Sequence, residues 1–428
     1  MNKFICAAIC LILACALTTT VNATTIMVSN TNDSGPGSLR QTLLNANNGD
    51  TIDATGISGA ITLTSGELLV DKSVTINGAG ADELAVDGNA TSTVFQIGSG
   101  KIVTISGLTI RNGQGNFGGG ILNGDSATLT IINSTLSGNT GGNGGGSFNS
   151  GTLSVINSTV SSNIASEGAG IYNSGAGSLT IINSTLGGNT AGSVGNPEVE
   201  GGGIFNGGTL TIFSSTVTAN TAGGISGAGG GIYNGGTLTI LNSTVSANTA
   251  STGGGVHNAA AATTVTITNS TFSGNAASAY GGACFNGGTM QIANSTLSGN
   301  SASTGGGILV FGPLQIGNTI LNRGEAGANI GSFGEVTVTS LGYNLSSDDA
   351  GGHLTSAGDQ INTDPVLGPL QDNGGPTFTH ALLRGSPAID AGDPSFTPPP
   401  RHDQRGRGFA RVAHGRIDVG SFEVQRRH

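Results

Sequence analysis

The chain has 428 residues, 77 of them glycine, with no tryptophan and only 9% charged residues. Its glycines have no period of three, which excludes a collagen helix, and its apolar residues alternate too regularly for disorder. The net charge of −10 is a dilute surplus without an acidic run, which excludes nucleic acid as the expected partner.

Residues 1–23 read as a secretory signal. Lys3 gives the positive start, Phe4 to Leu17 the apolar run, and Val21-Asn22-Ala23 the small-residue site, so cleavage is expected after Ala23. The apolar run is too short for a membrane span, and the mature chain is expected to have no transmembrane segment. Ile12-Leu13-Ala14-Cys15 offers a second processing site, that of a lipoprotein modified at Cys15. Cys6, Cys10 and Cys15 fall in the signal, leaving Cys284 alone in an exported chain without disulfides. Cys284 stands where sister repeats carry isoleucine, so a buried core thiol is expected.

Residues 24–50 hold a short strand around Met27 and then a helix. Ser38 and Gln41 have capping-box spacing, and Leu39, Leu43 and Leu44 form one apolar helical face. Such a helix would cover the open end of a stack of strands. From Thr51 to Asn112 short apolar bursts follow with an irregular rhythm.

The rhythm becomes regular from about Gly118 to Gly307. One unit, Gly229 to Ala250, reads GGGIYNGGTLTILNSTVSANTA. Its TLTIL segment alternates polar and apolar residues, as a strand with one buried face does. Apolar bursts at Ile232, at Leu238 and Ile240, and at Val245 end in Asn234, Asn242 and Asn248. Asparagine tolerates the left-handed backbone of a sharp corner. Three strands and three corners per coil are therefore expected. The second corner recurs at Asn133, Asn157, Asn183, Ser214, Asn242, Asn269, Asn294 and Asn318, every 24 to 31 residues. A single coil buries too little to fold alone, so each must stack on the next. The asparagines Asn133, Asn157, Asn183, Asn242, Asn269 and Asn294 are expected to form a hydrogen-bonded ladder. The Asn-Ser-Thr triplets, sequons by pattern, read here as corners. Longer intervals hold inserted loops, such as Ser193 to Glu200, where function is sought in repeat proteins.

The expected fold is thus all-β, a right-handed parallel β-helix of about ten coils over residues 51–322, with an N-terminal capping helix. Composition shifts at 323. Nine arginines and most of the prolines follow, marking residues 323–428 as a separate terminal domain.

Asn30 to Asn112 resembles the N-terminal part of bacterial exported β-helix proteins of the pectate-lyase-like superfamily. GSLRQTLLNANNGDTI is similar to the domain named for the residues CSLREA, with Gly37 in place of its cysteine. The GGGI-type strands and Phe272 to Asn275 resemble the repeats of polymorphic outer-membrane proteins. Asp364 to Gly392, with the closing DQRGRGFARVAHGRIDVGSFE, resembles the choice-of-anchor Q domain. The resemblance implies the β-helix fold; as to activity it leaves both enzymes and adhesins open.

Chemistry is sparse. Between Asn112 and Asn322 there is no lysine or arginine. Asp348-Asp349, Gly352-His353 and Asn362-Thr363-Asp364 resemble fragments of the polygalacturonase signature, but in the wrong order, so they read as turn and cap residues. The acids and His257, His353 and His380 lack metal-ligand spacing, and neither a metal nor a cofactor is expected. Two arrays remain as binding candidates. Arg401 to Arg416, with Arg405 and Arg407, offers positive charge to an acidic polysaccharide. Thr209, Thr211, Thr237 and Thr239, with their counterparts in other repeats, should stack into a flat double row. The row resembles the ice-binding faces of some β-solenoids; otherwise threonine is simply a good exposed strand residue. The expected function is a secreted or surface-associated structural or adhesion module without catalysis, its partners glycans or a host or matrix surface. A polysaccharide lyase or glycoside hydrolase is the alternative, and ice binding the second.

Overall fold

In the computed structural model, described for residues 23–192, 199–259 and 262–425, the chain winds into an all-β parallel solenoid of about twelve coils. The signal up to Asn22, including Cys6, Cys10 and Cys15, and loop residues 193–198 lie outside the described residues. Sheet A has 13 strands, sheet B 12 and sheet C 11, and a shorter sheet D has 7. In the reference coil the chain passes Ile232–Asn234 in sheet C, Thr237–Leu241 in sheet A, Thr244–Ser246 in sheet B and Thr249–Thr252 in sheet D. The right-handed sense follows the rule for parallel crossovers. Ile232, Leu238, Ile240 and Val245 point inward and are fully buried. They join one continuous column of aliphatic side chains from Val28 to Leu354.

Three expectations change. The coils number about twelve and not ten, because the irregular bursts before Asn112 form full coils and the sheets run on past 323. Ile330–Ser332 extends sheet C, Val338–Gly342 sheet A and Leu345–Ser346 sheet B. The arginines and prolines therefore begin before the stack ends. The central coils also carry a fourth strand. From Ile164 onward its inward residue is an alanine, and Ala165, Ala191, Ala222 and Ala250 pack with Ala169 and Val199 as a small separate core. A lone alanine gives no apolar alternation to read.

The third change is at the corners. The second-corner residues do take the left-handed conformation, with φ between 49° and 54° from Asn133 to Asn318. Among the six asparagines expected to form a ladder, however, the hydrogen bond present is Asn269 Nδ2 to Asn242 Oδ1, 2.7 Å. Asn133, Asn157 and Asn183 are exposed to water, which satisfies an amide without a neighbour. The next residue supplies the bonding there. Ser158 Oγ accepts from Ser134 N–H at 3.1 Å and donates to Ile156 C=O at 2.7 Å. Ser184, Ser215, Ser243, Ser270 and Ser295 each accept in the same way from the coil before.

Asparagine ladders stand at the other two corners. Asn123, Asn149, Asn173, Asn206, Asn234, Asn258 and Asn286 are linked Nδ2 to Oδ1 at 2.7–2.9 Å. Asn139, Asn163, Asn189, Asn220, Asn248, Asn275 and Asn300 are linked at 2.8–3.0 Å. Every member of both ladders is buried. Conformation and bonding, assigned by sequence to the same asparagines, are divided between different ones.

Glycine opens each coil. Gly229 has φ +69°, and a Cβ there would lie 2.5 Å from the Ile232 carbonyl oxygen. Gly229→Ala is therefore expected to cost about 2–5 kcal/mol, about 1–2 for the left-handed backbone and about 1–3 for the overlap. Gly230→Ala should cost less, because the Gly168 coil already carries Ala169 at that place. Denaturation midpoints of the two variants check the ranking.

The ends are closed. The helix Leu39–Asn45 has Ser38 as N-cap, its side chain accepting from Gln41 N–H. Gln41 turns to Asn45 and does not complete the capping box. Leu39 and Leu43 enter the core, while Leu44 is 67% exposed and leaves the expected apolar face. At the other end Ala350 and Leu354 close the column. The chain then folds back over the outer face of sheet B. Thr244 Oγ1 donates to Phe378 C=O at 2.7 Å, Thr271 Oγ1 to Gln404 Oε1 at 2.6 Å, and Ser421 N–H to Thr296 Oγ1 at 3.0 Å. A second small core forms beneath, from Ile320, Leu345, Leu382, Ala388, Val419 and Phe422.

Candidate binding face

Sheet A presents its outer face without a covering segment from the described chain. Thr128, Thr152, Ser178, Thr209, Thr237, Thr264 and Thr289 lie in one register column. Thr130, Ser154, Thr180, Thr211, Thr239, Thr266 and Gln291 form a second. Thr209, Thr211, Thr237 and Thr239 are thus brought together in two adjacent coils, side chains outward, as the alternation requires. A third column escaped sequence reasoning. Ile132, Ile156, Ile182, Phe213 and Leu241 close the same strands and stay partly exposed. They precede the corner residue, where an aliphatic reads as core. Together the columns make a flat uncharged face of roughly 30 Å by 14 Å, from strand and residue spacings of about 4.8 and 3.4 Å.

Sheet C carries an aromatic column outside. Phe148, Tyr172, Phe205, Tyr233, His257 and Phe285 stack with ring centroids 4.4–5.3 Å apart and planes within 12°. Each ring covers its neighbour's face, so the column stabilises the coil-to-coil contact and offers mainly ring edges to solvent. Burial lowers His257 to about 4, so its ring sits neutral in the stack. Burial, then the Glu200 and Glu167 charges, push the Tyr233 phenol up, and burial also raises Glu167. The alternation of Phe, Tyr and His before the ladder asparagine was the available signal.

The arginine-rich segment is not a free cationic loop. Arg405 is buried between the rings of Phe409 and Phe422, at 3.9 and 3.8 Å, and its Nη2 is 2.6 Å from Asp403 Oδ2. It is removed from the binding candidates, because its charge and both faces are already engaged. Arg407 and Arg401 remain exposed. Arg411 is fully buried, its Nη2 donating to Gly420 C=O at 2.7 Å and Asp418 C=O at 3.1 Å. Arg416 bonds the carbonyls of Ala391 and Gly392.

The carboxylates that resemble a hydrolase signature hold turns. Asp348 accepts from Asn329 N–H and Ala350 N–H, Asp349 from Gly351 N–H, and Asp364 from Val366 N–H, each at 2.9–3.1 Å. Cys284 is buried between Val256 and Ile308 in sheet C, and burial pushes its thiol up. Among the described residues no helix is long and apolar enough to cross a membrane.

No family model matches the chain, and no curated protein matches it. Among solved structures, the crystal structure of pectate lyase Pel9A is similar, with 13% identity, a TM-score of 0.47, and coverage of 94% of this chain and 97% of that one.

Proposed function

We propose that the protein is an exported structural or adhesion module, secreted or held at a surface, whose contact face is the outer side of sheet A. The observation that carries the reading is the in-register array of two threonine-rich columns across seven strands, with an apolar column beside them over five, without a charge. A rigid face of regularly repeated, uncharged groups suits weak repeated contacts to an ordered partner, a glycan or matrix surface, whose strength comes from effective concentration. The lyase or hydrolase reading has less support, because Asp348, Asp349 and Asp364 are taken up by local turns. Ice remains the second candidate surface, since paired threonine columns of fixed spacing suit an ordered lattice.

The test is a printed array of glycans and matrix proteins with an ice-recrystallisation assay beside it. The mature protein is compared with a variant carrying lysine at Thr209, Thr211, Thr237 and Thr239. Exposed strand positions tolerate lysine within about 0.5 kcal/mol each, so folding should persist. Binding is expected to fall by at least about tenfold, the result of removing a few weak contacts worth about 1.4 kcal/mol together. Equal binding by the folded variant rejects this face.

A further inference from the structure

A cleft lies where the returning C-terminal segment meets sheet B, on a different side of the rod from sheet A. Its volume is about 310 Å³. Thr185, Thr216 and Thr218 form the floor, and Leu370, Pro376 and Phe378 form the wall. Thr185 and Thr216 are register neighbours in successive coils, so their hydroxyls repeat at about 4.8 Å along the axis. Thr218 Oγ1 pairs with Ser246 Oγ at 3.0 Å and keeps two further hydrogen-bonding capacities. Phe378 is 52% exposed. Its backbone is fixed from below, the carbonyl accepting from Thr244 Oγ1 at 2.7 Å and from Gln404 Nε2 at 3.2 Å. Gln404 Nε2 also donates to Thr377 Oγ1 at 3.0 Å. The backbone that carries the ring is therefore fixed at the edge of the hydroxyl floor by a buried network. No charged residue lines the cleft.

We propose that this cleft binds a neutral sugar ring of a glycan. A pyranose has an apolar C–H face and a rim of hydroxyls that both donate and accept. The exposed aromatic ring matches the first and the threonine hydroxyls the second. An acidic sugar would meet no cation here, on a chain of net charge −10. A hydrocarbon ligand would leave the threonine hydroxyls without partners, at a cost for each. The size suits one or two rings, within the range of small-ligand pockets. Beyond Thr185 the same outward column continues at Thr159 and Thr135, so a longer chain has hydroxyls to follow along the rod.

The proposal is independent of the sheet A reading, and the two fail separately. Neutral oligosaccharides of glucose, mannose, xylose and galactose, with oligogalacturonate as the acidic comparison, are titrated against the full mature chain by calorimetry and saturation-transfer NMR. At least one neutral oligosaccharide is expected to bind, and Phe378→Ala to weaken it by about tenfold, the loss of one aromatic contact. Thr216→Val, which keeps shape and removes a hydroxyl, should weaken it as well. The four-lysine variant on sheet A should leave this binding unchanged. The proposal is overturned if no neutral sugar binds at about 10 mM, where even a ~1 mM site would be nine-tenths filled. It is also overturned if the acidic oligosaccharide binds more tightly, or if Phe378→Ala and Thr216→Val, each with an unchanged unfolding midpoint, bind as well as the parent.

Discussion

Asn220→Leu is expected to destabilise the rod by about 2–6 kcal/mol, with the buried Asn189 N–H left unpaired at about 1–3 and the two bonds donated by Asn220 Nδ2 lost at about 0.5–1.5 each. In the native coil Asn220 Oδ1 accepts from the backbone N–H of Asn189 at 3.0 Å, and Asn220 Nδ2 donates to Leu186 C=O at 3.0 Å. Leucine has a similar volume and removes both partners at a site with no access to water. The Asn189 side chain, which also bonds Val160 C=O, is only partly deprived. By contrast, Asn157→Ala at the exposed second corner loses no buried hydrogen bond and should cost only the left-handed backbone, about 1–2 kcal/mol. Chemical denaturation followed by circular dichroism measures both. Equal losses would mean that the buried ladder adds nothing beyond conformation.

Arg411→Met is expected to release the C-terminal segment while leaving the coils folded. Arg411 is a buried cation whose charge acts on Glu423, Asp403 and Asp418, beside Arg405, which pairs with Asp403 directly. Glu423 accepts from Ala413 N–H and Asp418 N–H, and Asp418 from Asp390 N–H and Val424 N–H, so these carboxylates tie the segment's turns together. Removing one partner of a buried charge cluster costs about 3–5 kcal/mol. Limited proteolysis should then cut first within residues 365–424. The same cluster sets a pH dependence. Burial, then the Asp418 charge, raise Glu423 from 4.5 to about 8, so the folded state keeps a proton that the unfolded chain releases. Stability therefore falls as pH rises through that window, and the segment is held more tightly at the acid end than the alkaline end. Arg411→Met removes the opposing positive charge and should steepen the dependence. A variant as resistant to protease as the parent across this range would show that Arg411 does not anchor the segment.

The sequence showed the solenoid because burial imposes alternation, and TLTIL at Thr237 displays it plainly. It did not show which asparagine bonds to which, because Asn234, Asn242 and Asn248 are chemically identical. What separates them is whether the side chain faces the interior or water, a property of the wound coil and not of its local sequence. Sheet D was hidden because its inward residue is at most an alanine. The docking of the C-terminal segment was hidden for another reason. Thr244 and Gln404 are 160 residues apart and meet through polar groups that follow no period. Arg405 looked free for the same reason, since Phe409 and Phe422 carry no sign that they enclose a guanidinium. The threonine columns were legible as outward residues, while Ile132 to Leu241 beside them were not, because an aliphatic residue is ordinarily read as core.

The measurement that bears most directly on the sheet A reading is covalent footprinting of the protein while bound to whichever surface the array identifies. Side-chain labelling is compared with the free protein. Protection is expected at Thr209, Thr211, Phe213, Thr237, Thr239 and Leu241, with labelling unchanged at the aromatic column from Phe148 to Phe285. Protection confined to that aromatic column, or to Arg401 and Arg407, would contradict the account.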